Sequence, residues 1–331
     1  MKLMKLMKKD IKPNEQITSF FALESMKLRK SKNQKNFLEL VMQDKTGKIK
    51  GYLWDNPVLA AAMLKEKSII KVKGLTTMIN DSLIMNVERA RNAEKGEFEL
   101  QDFLEVVQGG IELWHNKLLA SVEQIRDRNC RAVVDLFLQD GAFIELFTTA
   151  PGGVSVHHSY VGGLLEHTAT IMAQAVQVAE KHPGLMDMDL LLAGAFLHDI
   201  GKTRELYWEI AKEYTTEGKL LGHITIGILM LEEKLAGIKD FPPNLALMLK
   251  HMILSHHGDL AFGSPVRPAF PEAVTLNLLD NSDAKINHMY GFLGYSNPED
   301  TWSNFDRILN TELYQKRYAK QPMKQLEGVS V

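Results

Sequence analysis

Along residues 15–95 apolar and polar positions alternate in short runs, the period of strands with one face buried. The runs are Gln16–Glu24 (QITSFFALE), Phe37–Gln43 (FLELVMQ), Lys48–Trp54 (KIKGYLW), Ser68–Lys73 (SIIKVK) and Leu83–Val87. In the third, Ile49 falls on one face and Lys48, Lys50, Tyr52 and Trp54 on the other. The intervening signals are a basic polar connection, Lys27–Asn36, and a turn at Asp44–Gly47 with glycine where positive φ is needed. A short helix over about Pro57–Lys65, a break at Gly74 and a turn at Asn80–Asp81 complete the region. Five short strands interrupted by one helix predict a small closed barrel.

The period then changes. A charged linker, Glu94–Glu99 (EKGEFE), leads into residues 100–150, where apolar residues recur every three or four positions, as in Phe103, Val106 and Val107, or Val133, Leu136 and Phe137. Ala150–Ser155 (APGGVS) breaks the chain. Helical spacing resumes from Tyr160 to about Asp283, with stops at His182–Gly184, Gly201, Phe241–Pro243 and Gly258–Pro271. In the tail from Asn287, Trp302, Phe305 and Tyr314 have helix-compatible spacing, and the end after Lys320 is polar. The expected architecture is multidomain α and β. An N-terminal β-barrel occupies residues 1–95, a helical linker or start of the helical domain 96–155, and an all-α domain 156–331.

One stretch breaks the apolar logic of the helices. Leu191–Lys202 (LLAGAFLHDIGK) is apolar all round yet ends in an adjacent His198–Asp199 pair. Burying an imidazole beside a carboxylate costs free energy unless something offsets their desolvation. The bland reading has His198 cap the helix and Asp199 meet a nearby lysine; the alternative is a metal ion. Four further sites favour the ion. His167 lies in LLEHT, His223 in GHITIG, His256 and His257 in SHHG, and Asp280 with Asp283 one helical turn on in LLDNSDAK. One buried histidine is usually a satisfied core residue, but five such sets in one helical region are not all structural.

The donor set is imidazole and carboxylate with no thiolate, which suits Mn²⁺, Mg²⁺, Fe²⁺, Co²⁺ or Zn²⁺. His167, His198, Asp199 and Asp280 would make a site with open positions. His223 and one or both of His256 and His257 could hold a second ion, with Asp199 bridging. Such a pair suits phosphodiester hydrolysis, with Asp199 at its centre. Lys202, one turn after His198, is a candidate catalytic contact to phosphate, or a cation favoured by a helix C-terminus. His157 and His158, just before the Gly162–Gly163 break, could line the site mouth or be ordinary structural residues. Tyr214–Gly218 and Gly263–Pro268 read as loops near the cleft, with Arg267 an ordinary loop arginine. His115, His182, His251 and His288 have no partner pattern.

Composition bounds the setting. The 331 residues suffice for two cores. The single cysteine, Cys130, excludes an intramolecular disulfide and a Cys-based zinc site, and fits a reducing cytoplasm. The start, MKLMKLMKKD, alternates Lys with apolar residues and does not read as a signal peptide, and no apolar run is long enough to span a bilayer. The net charge of −2 hides an asymmetry. Residues 1–95 carry roughly 20 Lys/Arg against roughly 10 Asp/Glu. A basic front on an acidic body points to an anionic polymer bound by the front.

The sequence FLELVMQDKTGKIKGYLWD, with its strand, D-x-T-G turn and strand ending in Trp-Asp, resembles an OB-fold of the nucleic-acid-binding type. Such folds hold single strands with basic grooves and aromatic platforms. Candidate phosphate contacts are Lys27, Arg29, Lys30, Lys32 and Lys35; candidate stacking residues are Phe37, Tyr52 and Trp54, each of which could instead be core. The order H…HD…H…HH…D resembles the HD phosphohydrolase superfamily. The phrases HHSYVGGLLEHT, AGAFLHDIGKTREL, YTTEGKLLGHITIG, LSHHGDLAFGSPVRP and LLDNSDAK, behind an OB-like barrel, resemble the bacterial YhaM-type 3′→5′ exoribonucleases over roughly residues 15–310. The resemblance implies divalent-metal-dependent removal of nucleotides from the 3′ ends of single-stranded RNA, with single-stranded DNA a second candidate. By position, His167, His198, Asp199 and Asp280 match the HD ligands, and His223, His256 and His257 the extra histidines of multi-His members. The branch acting on cyclic dinucleotides carries GYP after its paired histidines; GDLAFGSP stands here and speaks against that substrate. An HD enzyme of free nucleotides and a nucleic-acid-binding protein with a structural metal are the alternatives. Whether the chain forms a homo-oligomer is open.

Overall fold

The computed structural model describes residues 7–79, 82–94, 96–98, 102–103, 106–153, 158–208, 213–294 and 299–316; the expected turn at Asn80–Asp81, His157 and the polar end after Lys320 lie outside them. The alternating runs form β1 (Gln16–Lys30), β2 (Asn36–Asp44), β3 (Gly47–Leu53), β4 (Ser68–Ile79) and β5 (Ser82–Asn92), with helix α1 (Pro57–Met63) between β3 and β4. They close into a barrel in the order β1-β2-β3-β5-β4, with β3 and β5 parallel and the other pairs antiparallel. This is the OB topology. Every second residue of β2 from Leu38 to Asp44 is buried, as is Ile49, Gly51 and Leu53 on β3. With Phe21, Leu23, Ile70, Val72, Met85 and Val87 these fill the interior.

Strands β1, β4 and β5 extend well past the alternating runs. Lys27–Asn36 was expected to be a connection, but β1 continues to Lys30 and only Ser31–Lys35 turns. A bulge between Leu23 and Ser25 re-registers the strand there. Gly74, expected as a break, lies inside β4 at a second bulge.

The helical part comprises α2 (Ile111–Val122), α3 (Arg128–Leu138), α4 (Gly141–Thr149), α5 (Gly163–Lys181), α6 (Met188–Leu197), α7 (Lys202–Glu205), α8 (Thr216–Leu235), α9 (Pro243–Ser255) and α10 (Pro271–Gly294). Asp127, Asp140, Asp187 and Thr215 cap α3, α4, α6 and α8 by accepting backbone N–H groups. One apolar core runs from α2–α4 through α5 and α6 to α8–α10. Helix α6 is its axis. Every residue from Leu190 to Leu197 is buried, and Phe196 packs against Phe137 and Phe147 at ring-centroid distances of 6.3 and 5.6 Å.

The helical reading needs three corrections. Phe103, Val106 and Val107 do not share a helix face: Phe103 packs on barrel residues Phe20, Ala22 and Ile69, while Val106 bridges to Val161. Leu206–Tyr207 and Glu213–Tyr214 pair as β6 and β7, so Tyr214–Gly218 is a strand end and the start of α8 rather than a loop. Trp302–Asp306 and Thr311–Tyr314 form the hairpin β8–β9, not a helix. His288, expected to lack a partner, holds Asp306 across 2.6 Å and ties that hairpin to α10. Cys130 is buried, and burial pushes its thiol up. Among the described residues no helix is long and apolar enough to cross a membrane.

Phe196→Ala removes the aromatic centre of the axis. It is expected to cost about 3–5 kcal/mol, read as an earlier urea midpoint of the far-ultraviolet helical signal.

Candidate metal centre

Five helices deliver the polar side chains to one place. His167 rises from the first turns of α5, His198 and Asp199 follow the last turn of α6, and His223 sits early in α8. His256 and His257 follow α9, and Asp280 lies on α10. His167 Nε2 is 3.1 Å from Asp280 Oδ1, 3.5 Å from Asp199 Oδ2 and 3.3 Å from His198 Nε2. Asp199 Oδ1 looks the other way, 3.6 Å from His223 Nε2 and 3.7 Å from His256 Nε2. Asp199 therefore stands between two groups, His167–His198 and His223–His256–His257.

Each imidazole has its Nδ1 committed to a hydrogen-bonding partner behind it. Those of His198, His256 and His257 face the carbonyls of Ala195 (2.7 Å), Ile253 (2.8 Å) and Phe262 (3.0 Å). His167 and His223 face carboxylates, Asp283 at 2.7 Å and Glu205 at 3.1 Å. A carbonyl or carboxylate there fixes the tautomer with N–H at Nδ1 and leaves the Nε2 lone pair free to ligate. Glu205 also accepts the backbone N–H of His223 at 2.9 Å. That donor is free because α8 is interrupted at Gly222, whose φ of 70° and ψ of 155° leave the helical region. Gly201 supplies the other local requirement: a Cβ there would lie 2.0 Å from the His223 carbonyl oxygen. The glycine of HDIGK lets α8 come close enough to present His223.

The electrostatics favour a cation. Burial pushes Asp199 up, but Lys202 and His198 hold it well below the usual carboxylate range. Burial likewise opposes ionisation of Asp280, and the hydrogen bond and charge of His167 override it. Burial lowers His256 well below its ordinary value and lowers His257 as well, which favours the neutral form of both rings. His167 differs. Burial lowers it, but hydrogen bonds to Asp280 and Asp283 outweigh burial and raise it to about 9. Three buried atoms, Asp199 Oδ1, His223 Nε2 and His256 Nε2, have no hydrogen-bond partner. Asp199 Oδ1 faces the two nitrogens across 3.6 and 3.7 Å, and a buried polar group without a partner needs an explanation. A divalent ion satisfies all three, and the N/O donor set fits one.

The geometry thus gathers His167, His198, Asp199, His223, His256, His257 and Asp280. Lys202 lies against the Asp199 carboxylate. Its ammonium is buried and sits 2.6 Å from Asp199 Oδ2, so it holds that carboxylate. Both bland contacts exist too: His198 ends α6, and Asp199 meets a lysine. They orient the pair. Sequence pattern alone does not single out Glu205, and it gives Asp283 no role. His158 is buried behind His167, not at a mouth. Arg267 is exposed beside Asp259, as an ordinary loop arginine.

Comparison with known proteins gives the family. The HD domain family model matches residues 164–285. A 3′-5′ exoribonuclease YhaM from Geobacillus sp. (strain WCH70) is 30% identical over 317 residues, covering 96% of this chain and 97% of its own. The chain belongs to the YhaM family. Among solved structures, the second OB-fold domain of replication protein A from Methanococcus maripaludis is 24% identical, covers 29% of this chain and 100% of its own, and has a TM-score of 0.24. A replication protein A heterotrimer bound to ssDNA is 15% identical, covers 28% and 66%, and has a TM-score of 0.21.

In this YhaM-family chain the barrel carries a second polar-aromatic face. Pairing registers put Lys27, Glu39 and Tyr52 in one row across β1–β2–β3, and Arg29 with Phe37 in the next. Phe37 stacks on Trp54 with centroids 4.6 Å apart and meets Tyr52 edge-on at 5.9 Å. Trp54 is 49% exposed, so these aromatics are not barrel core. Lys32 and Lys35 are exposed in the turn, and Lys50, absent from the expected contacts, lies two residues from Tyr52. Lys30 pairs with Asn36 on the opposite strand face from Arg29, and Arg29 is bonded to Glu39 at 3.0 Å.

Asp199→Ala removes the carboxylate shared by both imidazole groups. Mn²⁺ retained after dialysis, measured by elemental analysis, is expected to fall to background while the far-ultraviolet spectrum stays that of the wild type.

Proposed function

We propose that this chain is a divalent-metal-dependent 3′→5′ exoribonuclease that releases nucleotides from single-stranded RNA. The observation that carries the reading is the convergence of four imidazole Nε2 atoms, those of His167, His198, His223 and His256, on Asp199 within 3.3–3.7 Å, with His257 beside them and each ring held from behind. A divalent cation bound there makes water a competent nucleophile at neutral pH and offsets charge developing on phosphoryl oxygens. The two imidazole groups on either side of Asp199 support two ions, and we take Mn²⁺ as the first choice among the divalent ions that the N/O donor set suits. Lys202 fixes Asp199, and Asp280 closes the site on the His167 side. In our reading His167, His198, Asp199 and Asp280 hold one ion, and His223, His256 and His257 with Asp199 hold the other.

The barrel supplies the hold on the strand. Phe37, Tyr52 and Trp54 offer faces for bases, and Lys27, Lys32, Lys35 and Lys50 offer charge to the backbone. We assign residues 1–95 to this module and place the enzyme in a reducing cytoplasm, which the lone buried Cys130 suits. Helices α2–α4 share a core with α5–α10, so we assign residues 111–149 to the catalytic unit and not to a linker.

The decisive assay uses 5′-labelled single-stranded RNA and Mn²⁺. Products shortened one nucleotide at a time from the 3′ end are expected, and no shortening with any of Mn²⁺, Mg²⁺, Co²⁺, Fe²⁺ or Zn²⁺ would sink the reading. Parallel reactions on single-stranded DNA and on nucleoside triphosphates separate the substrate classes.

Trp54→Ala tests the barrel. Loss of one stacked base is worth about 1–3 kcal/mol, so RNA affinity by fluorescence anisotropy is expected to fall roughly 5–150-fold. Hydrolysis of a small chromogenic phosphodiester, too short to reach the barrel, is expected to stay unchanged.

A further inference from the structure

Behind the metal centre lies a third group of ligand-type side chains, His158, His167 and Asp283. His167 belongs to both clusters, and its two nitrogens divide them. Nε2 faces Asp280, Asp199 and His198, and Nδ1 faces Asp283 Oδ2 at 2.7 Å. A ring that gives Nε2 to a cation keeps its proton at Nδ1, so Asp283 is the acceptor of that N–H and not a ligand of another ion. The same Asp283 oxygen lies 2.8 Å from His158 Nε2.

We propose that Asp283 and His158 are positioning residues for the catalytic cation, Asp283 fixing the His167 ring through its Nδ1–H and His158 fixing Asp283. The inference rests on the reading of the centre as a divalent-cation site. Three observations support it. Helix α10 carries Asp280 and Asp283 three residues apart, and grips one imidazole from front and back. His158 is itself clamped: its other nitrogen meets Tyr160 Oη at 3.0 Å and Glu166 Oε2 at 3.1 Å, and its backbone N–H donates to Asn287 Oδ1 at 2.7 Å. Asn287 is one turn beyond Asp283 on α10, so the helix that presents the carboxylate also holds the loop that steadies it. Finally, His158 has φ of 47°, a left-handed backbone that is strained for a non-glycine residue. Its buried ring reaches Asp283 from that backbone. The hydrogen bonds have an electrostatic counterpart. Burial pushes Asp283 up, and the bonds from His158 and His167 hold it well below the usual carboxylate range, ionised and accepting.

The test is calorimetric titration of Mn²⁺ into metal-stripped full-length protein, without RNA, so that it does not depend on the substrate. Loss of a carboxylate partner behind a ligating histidine typically costs 10–100-fold in metal affinity. Asp283→Asn is expected to weaken Mn²⁺ binding by about that factor. His158→Asn, chosen because asparagine tolerates the left-handed backbone, is expected to weaken it several-fold. Because His158 acts through Asp283, the double variant is expected to bind no more weakly than Asp283→Asn alone. Wild-type affinity in Asp283→Asn, or a double-variant loss equal to the product of the two single losses, overturns the proposal. Should Asp283→Asn fail to fold by circular dichroism, His158→Asn carries the test: weakened Mn²⁺ binding supports the proposal and wild-type affinity overturns it. A wild-type chain that takes up no divalent cation overturns the metal reading itself, an outcome distinct from all of these.

Discussion

An imidazole has two ends, and the helical unit is built around that fact. A ring can offer Nε2 to the centre only if the proton on Nδ1 has somewhere to go. Two of the five rings meet the requirement in the same way. His198 and His256 each occupy the residue just past a helix, α6 and α9, and each Nδ1 lies against the carbonyl three residues back, Ala195 or Ile253. Carbonyls of a last helical turn have no intrahelical partner, so the imidazole satisfies one that would otherwise be left over. The same arrangement aims two helix C-termini, the negative ends of their dipoles, at the site. The placement of α6 and α9 is thus part of the electrostatics.

The remaining charge balance depends on burial. Asp199, Asp280, Asp283 and Glu205 surround the rings, and Lys202 is the ammonium paired with Asp199. A buried cluster with carboxylates in excess is costly unless positive charge is drawn in. Part of that charge comes as a proton on His167, held up to about 9 by Asp280 and Asp283. A divalent ion supplies it more fully, and must displace that proton to reach Nε2. Lys202 cannot substitute for the ion on the far side of Asp199, because it occupies Oδ2 and leaves Oδ1 unpartnered.

Much of this was legible in the sequence, and the failures have physical causes. The ligand-type residues stood out because an apolar helix has no other use for them, and the geometry brings all seven together. The residues behind them did not stand out. Glu205 and Asp283 are ordinary carboxylates on helices, and their partners lie 18 and 116 positions away. The β8–β9 hairpin was misread because a register irregularity between Trp302 and Phe305 replaces the two-residue period by three, which imitates a helix. Phe103 and Val107 imitate one for another reason: they are apolar toward different neighbours, the barrel and the start of α5.

The barrel's exposed face depends on one irregularity of the same kind. Before the bulge Leu23 opposes Met42, and after it Ser25 opposes Val41, so one extra residue has entered β1. Continued without it, the earlier register would set Lys27 opposite Leu38, whose side chain is fully buried in the barrel. The bulge turns Lys27 and Arg29 to the outside, in rows with Tyr52 and Phe37. The alternation Met26, Lys27, Leu28, Arg29 was present in the sequence, but its phase relative to the preceding run is offset by that single residue, so it read as a polar connection. The inserted residue makes Lys27 and Arg29 part of the surface that carries the aromatics, where the uninterrupted strand would have buried one of them. The basic front of the chain is therefore positioned by a defect in pairing, much as His223 is positioned by a break in its helix.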